Sequence, residues 1–116
     1  MRNSIVTLSL SLGLALTSAC AGGISGGFKG NGASARPVAA SDVKTVANKA
    51  AMTGTYNELG IARGSAPTAQ QAVDQAKIHC GQHGGTHVIM NTEPFLSGSV
   101  YKVDATCATT QPLIQR

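Results

Sequence analysis

The order of apolar and polar positions divides the chain into an apolar N-terminal run, a Gly-rich stretch and a C-terminal half with regular patterns. The clearest pattern covers residues 69–83, where small and apolar positions recur at helical spacing before Gly84 and Gly85. Thr68 stands just before it as a candidate N-cap, because its hydroxyl can accept a hydrogen bond from a free N–H of the first turn. The pattern predicts a helix with one apolar stripe, made of Ala69, Ala72, Val73, Ala76, Cys80 and His83.

Three strands are predicted around this helix. Residues 56–63 place Leu59 and Ile61 on one face, and residues 87–91 contain the continuous apolar run 88–90 of a buried strand. Residues 99–108 alternate cleanly between apolar and polar positions. Residues 64–67 and 91–98 read as turns. The expected fold is therefore α+β, a small three-stranded sheet in the order β-α-β-β with one helix packed on it.

Two cysteines fall on the predicted helix–sheet interface. Cys80 lies on the apolar stripe of the helix, and Cys107 lies on the apolar face of the last strand with Tyr101, Val103 and Ala105. A helix packed on that sheet would bring the two thiols together, so periodicity predicts a buried Cys80–Cys107 disulfide. The alternative is two unpaired buried cysteines.

The N-terminal run predicts where in the cell the protein is located. Arg2 is followed by the uncharged apolar residues 5–19 and then by Cys20, which is the order of a secretory signal. The small residues before Cys20 resemble the lipobox of bacterial lipoproteins, although Leu16 stands one place earlier than usual. This resemblance implies cleavage before Cys20 and acylation of that residue. The alternative is ordinary secretory cleavage, which would release a soluble periplasmic protein beginning at Gly22.

The boundaries that follow are residues 1–19 for the lipoprotein signal peptide and 20–36 for a Gly-rich flexible tether. Residues 37–52 fit either a short helix capped by Ser41 or a short edge strand at 43–46, with a slight preference for the helix. Residues 53–110 form the small α+β domain and residues 111–116 a tail. In the lipoproteins that the lipobox resembles, Asp after the cysteine is the usual inner-membrane retention signal in enterobacteria. Ala21 stands there in this chain, so the resemblance implies the outer membrane, facing the periplasm.

Composition narrows the function classes. The chain of 116 residues has 9 basic and 5 acidic residues, and the basic ones are dispersed without a run or interleaved aromatic residues. This distribution argues against nucleic-acid binding. An exported chain meets an oxidising compartment, where a disulfide persists. The partners expected are membrane lipid through acylated Cys20 and an unidentified envelope protein.

The motifs Tyr56-Asn57-Glu58-Leu59-Gly60 and Gly84-Gly85-Thr86-His87-Val88-Ile89 resemble small bacterial envelope lipoproteins of uncharacterised function. In layout the chain is distantly similar to the stress-sensing RcsF-like lipoproteins. The similarity covers residues 53–107. RcsF-like domains carry four cysteines where this chain has two, so their bridge arrangement and signalling role are not carried over.

Candidate chemistry is confined to three histidines. His79 and His83 are four residues apart on the predicted helix, a spacing that can chelate a transition metal, and His87 follows on the next strand. They are weak candidates, because His83 lies on the buried stripe and a structural metal normally takes four ligands. No nucleophile elbow, phosphate loop or paired carboxylates are recognisable. We therefore expect no cofactor and no enzyme activity, but a non-enzymatic structural, interaction or stress-sensing lipoprotein; the alternative is a periplasmic metal-binding protein using His79 and His83.

Overall fold

The computed structural model describes residues 23–114. The predicted signal peptide and the predicted lipidation site, Cys20, lie outside these residues. Among the described residues, no helix is long and apolar enough to cross a bilayer.

The fold is one helix packed on one mixed sheet. Its strands and helix are β1 (Ser25–Gly30), β2 (Lys44–Val46), β3 (Asn57–Ala66), α1 (Ala69–Gln82), β4 (His87–Met90), β5 (Phe95–Ser97) and β6 (Val100–Thr109). The strands are ordered β1-β3-β6-β4-β2, and β5 pairs with β6 beyond the end of β4. Strand β2 runs parallel to β4, whereas the other pairs are antiparallel.

The expectation of a three-stranded sheet is wrong, because the sheet has six strands. Strand β1 lies inside the segment expected to be a flexible tether, and it pairs with β3 from Ser25↔Ser65 to Gly30↔Gly60. The main-chain hydrogen bonds of β3 order this Gly-rich segment, which its own side chains do not predict. β5 lies inside the segment expected to be a turn, and β3 continues to Ala66 through the other predicted turn.

Residues 37–52 adopt the edge-strand alternative. β2 covers Lys44–Val46 and is flanked by two single-turn 3-10 helices, Ala40–Asp42 and Lys49–Ala51. The slight preference for an α-helix here is wrong. One edge of β4 pairs with β6, and its other edge would be unpaired without β2. Pairing with β2 satisfies the main-chain groups on that edge.

Helix α1 matches its prediction closely. The Thr68 hydroxyl accepts a 3.2 Å hydrogen bond from the Gln71 N–H, so the predicted N-cap is confirmed. Gly84 ends the helix with φ of +96°, a left-handed conformation that glycine adopts at little cost. The buried stripe contains Ala72, Ala76, Cys80 and Gly81. His83, expected on the buried stripe, is exposed.

Two crossover connections cover the two faces of the sheet. α1 links β3 to the parallel strand β4 across one face, and residues 47–56 link β2 back to β3 in the opposite lateral direction. Right-handed crossovers in opposite directions must lie on opposite faces. Ala51 and Met52 accordingly line a cavity with Val46 and His87 on the face away from α1. Ile89 lies on that same face, between Val46 of β2 and Thr106 of β6, and is only 1% exposed.

The chain between β1 and β2 packs around the C-terminal end of α1. The Ala35 N–H donates to the His83 carbonyl, and the Val38 N–H donates to the Gly81 carbonyl. The C-terminal segment joins them, since the Gln111 side-chain amide donates to the carbonyls of Arg36 and Gly84. Part of the segment expected to be a tail is therefore packed against the domain.

Candidate functional site

The disulfide predicted from periodicity is present. Cys80 on α1 and Cys107 on β6 are joined, with 5.4 Å between their Cα atoms and 0% exposure of either residue. β6 pairs with β4 so that Val88 lies beside Cys107. The bridge therefore ties the last turn of the helix to the centre of the sheet.

Gly85 leaves room for the disulfide because it has no side chain. A methyl group at this position would collide with the sulfur atoms of both Cys80 and Cys107. The Gly85 N–H also donates a 2.9 Å hydrogen bond to the Cys80 carbonyl. The Gly84-Gly85 pair thus has two separate roles: the first residue ends the helix, and the second admits the disulfide.

Two of the three candidate metal ligands pack against β1. His83 stacks on Phe28, with ring centroids 3.8 Å apart and an interplanar angle of 10°. The His79 ring lies against Gly26, where a methyl group would approach its Cδ2 atom to 2.6 Å. Four residues of helix advance about 6 Å and two residues of strand about 6.6 Å, so the i, i+4 histidines match the i, i+2 positions of the strand.

His87 lies on the other face of the sheet. In β4 its neighbour Val88 faces the helix with Cys107, so alternation turns His87 away, beside Lys44 of β2. Its Nδ1 atom lies 2.8 Å from the Thr86 hydroxyl. Burial and, secondarily, the positive charge of Lys44 lower the pKa of His87 from its ordinary value of 6.5.

The structure therefore does not bring the three histidines together. His79 and His83 cover β1 on the helix side, whereas His87 lies under the 47–56 connection. Within residues 23–114, no group of three or more His, Cys, Asp or Glu side chains is arranged to hold a metal ion.

A shallow cavity of about 400 Å³ lies on the uncovered half of the sheet face opposite α1. Its lining includes Gly27, Arg63, Phe95, Lys102 and Asp104. Arg63 and Asp104 face each other across β3 and β6 and form an exposed ion pair with a 3.5 Å N–O distance. The cavity is a charged, solvated groove without a nucleophile–base pair among these residues.

An exposed apolar surface lies at the end of the sheet where β1 begins. We call it the apolar tip, and define it as Ile24, Phe95 and Leu96, which are 40%, 48% and 61% exposed. One cross-strand row consists of Ser25, Ser65, Lys102 and Phe95. Ile24 and Leu96 therefore lie in the next row toward this end of the sheet. Sequence reasoning missed this surface, because residues 91–98 were predicted to be a turn; the signal was the adjacent pair Phe95-Leu96 within that turn.

The fold and these sites define a two-layer α/β domain stapled by one buried disulfide. No family model matches the chain, and no curated protein matches it. Among solved structures it is similar to FvfA, a Francisella virulence factor seen in an orthorhombic crystal form, with a TM-score of 0.55 and 14% identity. The match covers 72% of this chain and 96% of that one. At this identity the likeness shows a shared fold.

Proposed function

We propose that this chain is a lipid-anchored lipoprotein of the cell envelope, acting as a non-enzymatic structural, interaction or stress-sensing module. The observation that carries the proposal is the buried Cys80–Cys107 disulfide. Structural disulfides persist in exported proteins and are rare where cytosolic reductants act. The disulfide is therefore consistent with the export signal predicted at residues 1–20, in which Cys20 is the acylated residue.

The proposal of a non-enzymatic role rests on how the polar side chains are used. Glu58 pairs with Lys49 and Asp104 with Arg63, both in exposed ion pairs. The histidines contact an aromatic ring, a strand backbone and a threonine hydroxyl, as described above. These contacts support a role in which the surface meets partners rather than one in which a cleft performs chemistry.

The test is replacement of the proposed acylation site in the full-length chain. Cys20→Ser should abolish incorporation of labelled palmitate and move the protein out of the membrane fraction or block its processing. Gly22→Ala, which keeps the cysteine, is the matched control and should behave like wild type. A wild-type protein whose intact mass corresponds to an unmodified chain beginning at Gly22 would establish the soluble periplasmic alternative instead.

A further inference from the structure

The position of Gly23 at the end of the sheet constrains how an anchored domain could sit. β1 starts at Ser25, and Gly23 already packs at the end of the sheet: a Cβ there would lie 3.4 Å from Pro67 Cγ and 3.7 Å from Val100 Cγ1. Gly23 is three residue steps along the chain from Cys20, and an extended chain covers at most about 3.6 Å per step. The Cα atom of Gly23 is therefore within about 11 Å of the Cα atom of Cys20.

This distance is comparable to the thickness of a lipid headgroup layer. A bilayer is about 40–45 Å thick with its headgroups and about 30 Å without them, which leaves about 5–8 Å for each headgroup layer. An acylated Cys20 has its chains in the hydrocarbon and its backbone in the headgroup layer. Gly23 must then lie in that layer or directly against it. The domain therefore does not stand off on a long tether.

The surface that this geometry presents to the membrane is the apolar tip. Ile24 adjoins Gly23, and Leu96 lies three strands away in the same cross-strand row, about 14 Å distant at the usual strand spacing. Phe95 and Leu96 lie on the β5–β6 hairpin at the same end, and alternation turns Phe95 to the face opposite α1 and Leu96 to the α1 face. Lys102, opposite Phe95, places a cation where lipid phosphates would lie. Apolar side chains flanked by a cation are the composition of an interfacial contact.

We infer that Ile24, Phe95 and Leu96 insert into the lipid headgroup region and fix the orientation of the anchored domain, with the sheet end at β1 Ser25 against the bilayer. The inference rests on the proposed acylation of Cys20. The opposite end, with the C-terminal end of α1 and the segment around Ser34, then points away from the membrane. In that orientation this end is available to a protein partner.

The chain offers a clean spectroscopic test, because it contains no tryptophan. Leu96→Trp places a single reporter on the tip. Ile114→Trp is the matched control: Ile114 is an exposed aliphatic residue, 50% accessible, whose N–H donates to Ser34 at the far end of the domain. Each full-length, processed protein is purified from membranes and reconstituted into phosphatidylethanolamine–phosphatidylglycerol vesicles, with or without bromine on the acyl chains.

The expected result is a blue shift of Leu96→Trp emission and loss of at least about half of its fluorescence in brominated vesicles, because interfacial side chains reach about 5–10 Å into the headgroup–acyl boundary. Ile114→Trp should show neither change. Phe95→Trp is a second tip reporter if Leu96→Trp does not fold.

The outcomes separate this inference from the function on which it rests. If both variants float with the vesicles but Leu96→Trp is not quenched, the inference is wrong and the lipid anchor stands. A blue shift without bromine quenching would mean that a protein surface, such as a second copy, covers the tip, and the inference would be wrong. Quenching of both reporters would mean that the domain has no fixed orientation on the bilayer, which would also contradict the inference. If neither protein carries acyl chains or floats, the proposed function and this inference both fail.

Discussion

Gly85 shows how one residue controls the bridge next to it. Its Cα faces both sulfurs so closely that a side chain has no room. Gly85→Ala should therefore lower the free energy of unfolding by about 1–3 kcal/mol, the usual cost of overpacking. In a Cys80→Ala/Cys107→Ala background the same substitution should cost much less, since the sulfurs that it would strike are gone. Chemical denaturation of the four proteins measures this coupling; equal costs in both backgrounds would show that Gly85 is required for another reason.

His87 gives the domain a pH dependence whose sign follows from its lowered pKa. The pKa is depressed in the folded state by burial and by Lys44, so the unfolded chain binds the proton first as the pH falls. Stability should be unaffected by His87 above its ordinary pKa of 6.5 and should decrease as the pH drops below it. We expect His87→Gln to show a smaller fall in melting temperature than wild type between neutral and mildly acidic buffer. Lys44→Met, which removes the secondary cause, should reduce the fall partially; an unchanged slope in His87→Gln would assign the acid sensitivity to other groups.

At the scale of elements, glycine and alanine set the distance between helix and sheet. Gly64 of β3 lies against the Ala72 carbonyl of α1, where a methyl group would collide with main chain. Gly64→Ala should push the helix outward and cost about 1–3 kcal/mol. Gly27 of β1, which pairs with Arg63 and has open space above it, is the matched control, and Gly27→Ala should stay within about 0.5 kcal/mol of wild type. Equal denaturation midpoints for the two variants would contradict the close helix–strand contact.

The elements that could be predicted are those whose own side chains carry a period. Helix α1 has an N-cap and an apolar stripe, β4 has a continuous apolar run, and β6 has clean alternation. The contact of Cys80 with Cys107 follows from the patterns of α1 and β6. β1 reads SGGFKG, and only two of its six residues are neither Gly nor Ser. Its order comes from main-chain pairing with β3 and from the rings of His79 and His83 laid over it, which no local pattern encodes.

The four-residue spacing of His79 and His83 does not by itself distinguish chelation from packing; the predicted buried stripe and the usual need for four ligands made them weak candidates. The same four-residue interval that would place two ligands on a metal also matches the two-residue interval of a strand beneath the helix. Phe28 occupies the face of His83 that a purely helical view leaves free. The separation of His87 follows from strand alternation, which turns it to the face opposite the helix.

At the scale of the whole molecule, the described core is small. Seven of its fourteen buried apolar residues are alanine, and its fully buried side chains of largest volume include only Leu59 and Ile89 beyond valine size. Close packing of α1 on the sheet makes such a core continuous, but it buries few large groups. Small domains with limited cores commonly depend on a covalent staple.

Reduction of the Cys80–Cys107 bond should therefore affect the entire domain and not only the last turn of α1. The bridge closes a loop with a sequence separation of 27 residues, which stabilises by about 3–4 kcal/mol on the chain-entropy model, out of a total of about 5–15 kcal/mol for an ordinary domain. Each kcal/mol corresponds to about 4–8 °C in a domain of this size, so reduction should lower the melting temperature by more than about 10 °C. Circular dichroism with and without a phosphine reductant measures this change, and the Cys80→Ala/Cys107→Ala variant, which should not respond to the reductant, excludes a solvent effect. A reduced wild type that melts with the oxidised one would mean that the alanine-rich core is sufficient without the bridge.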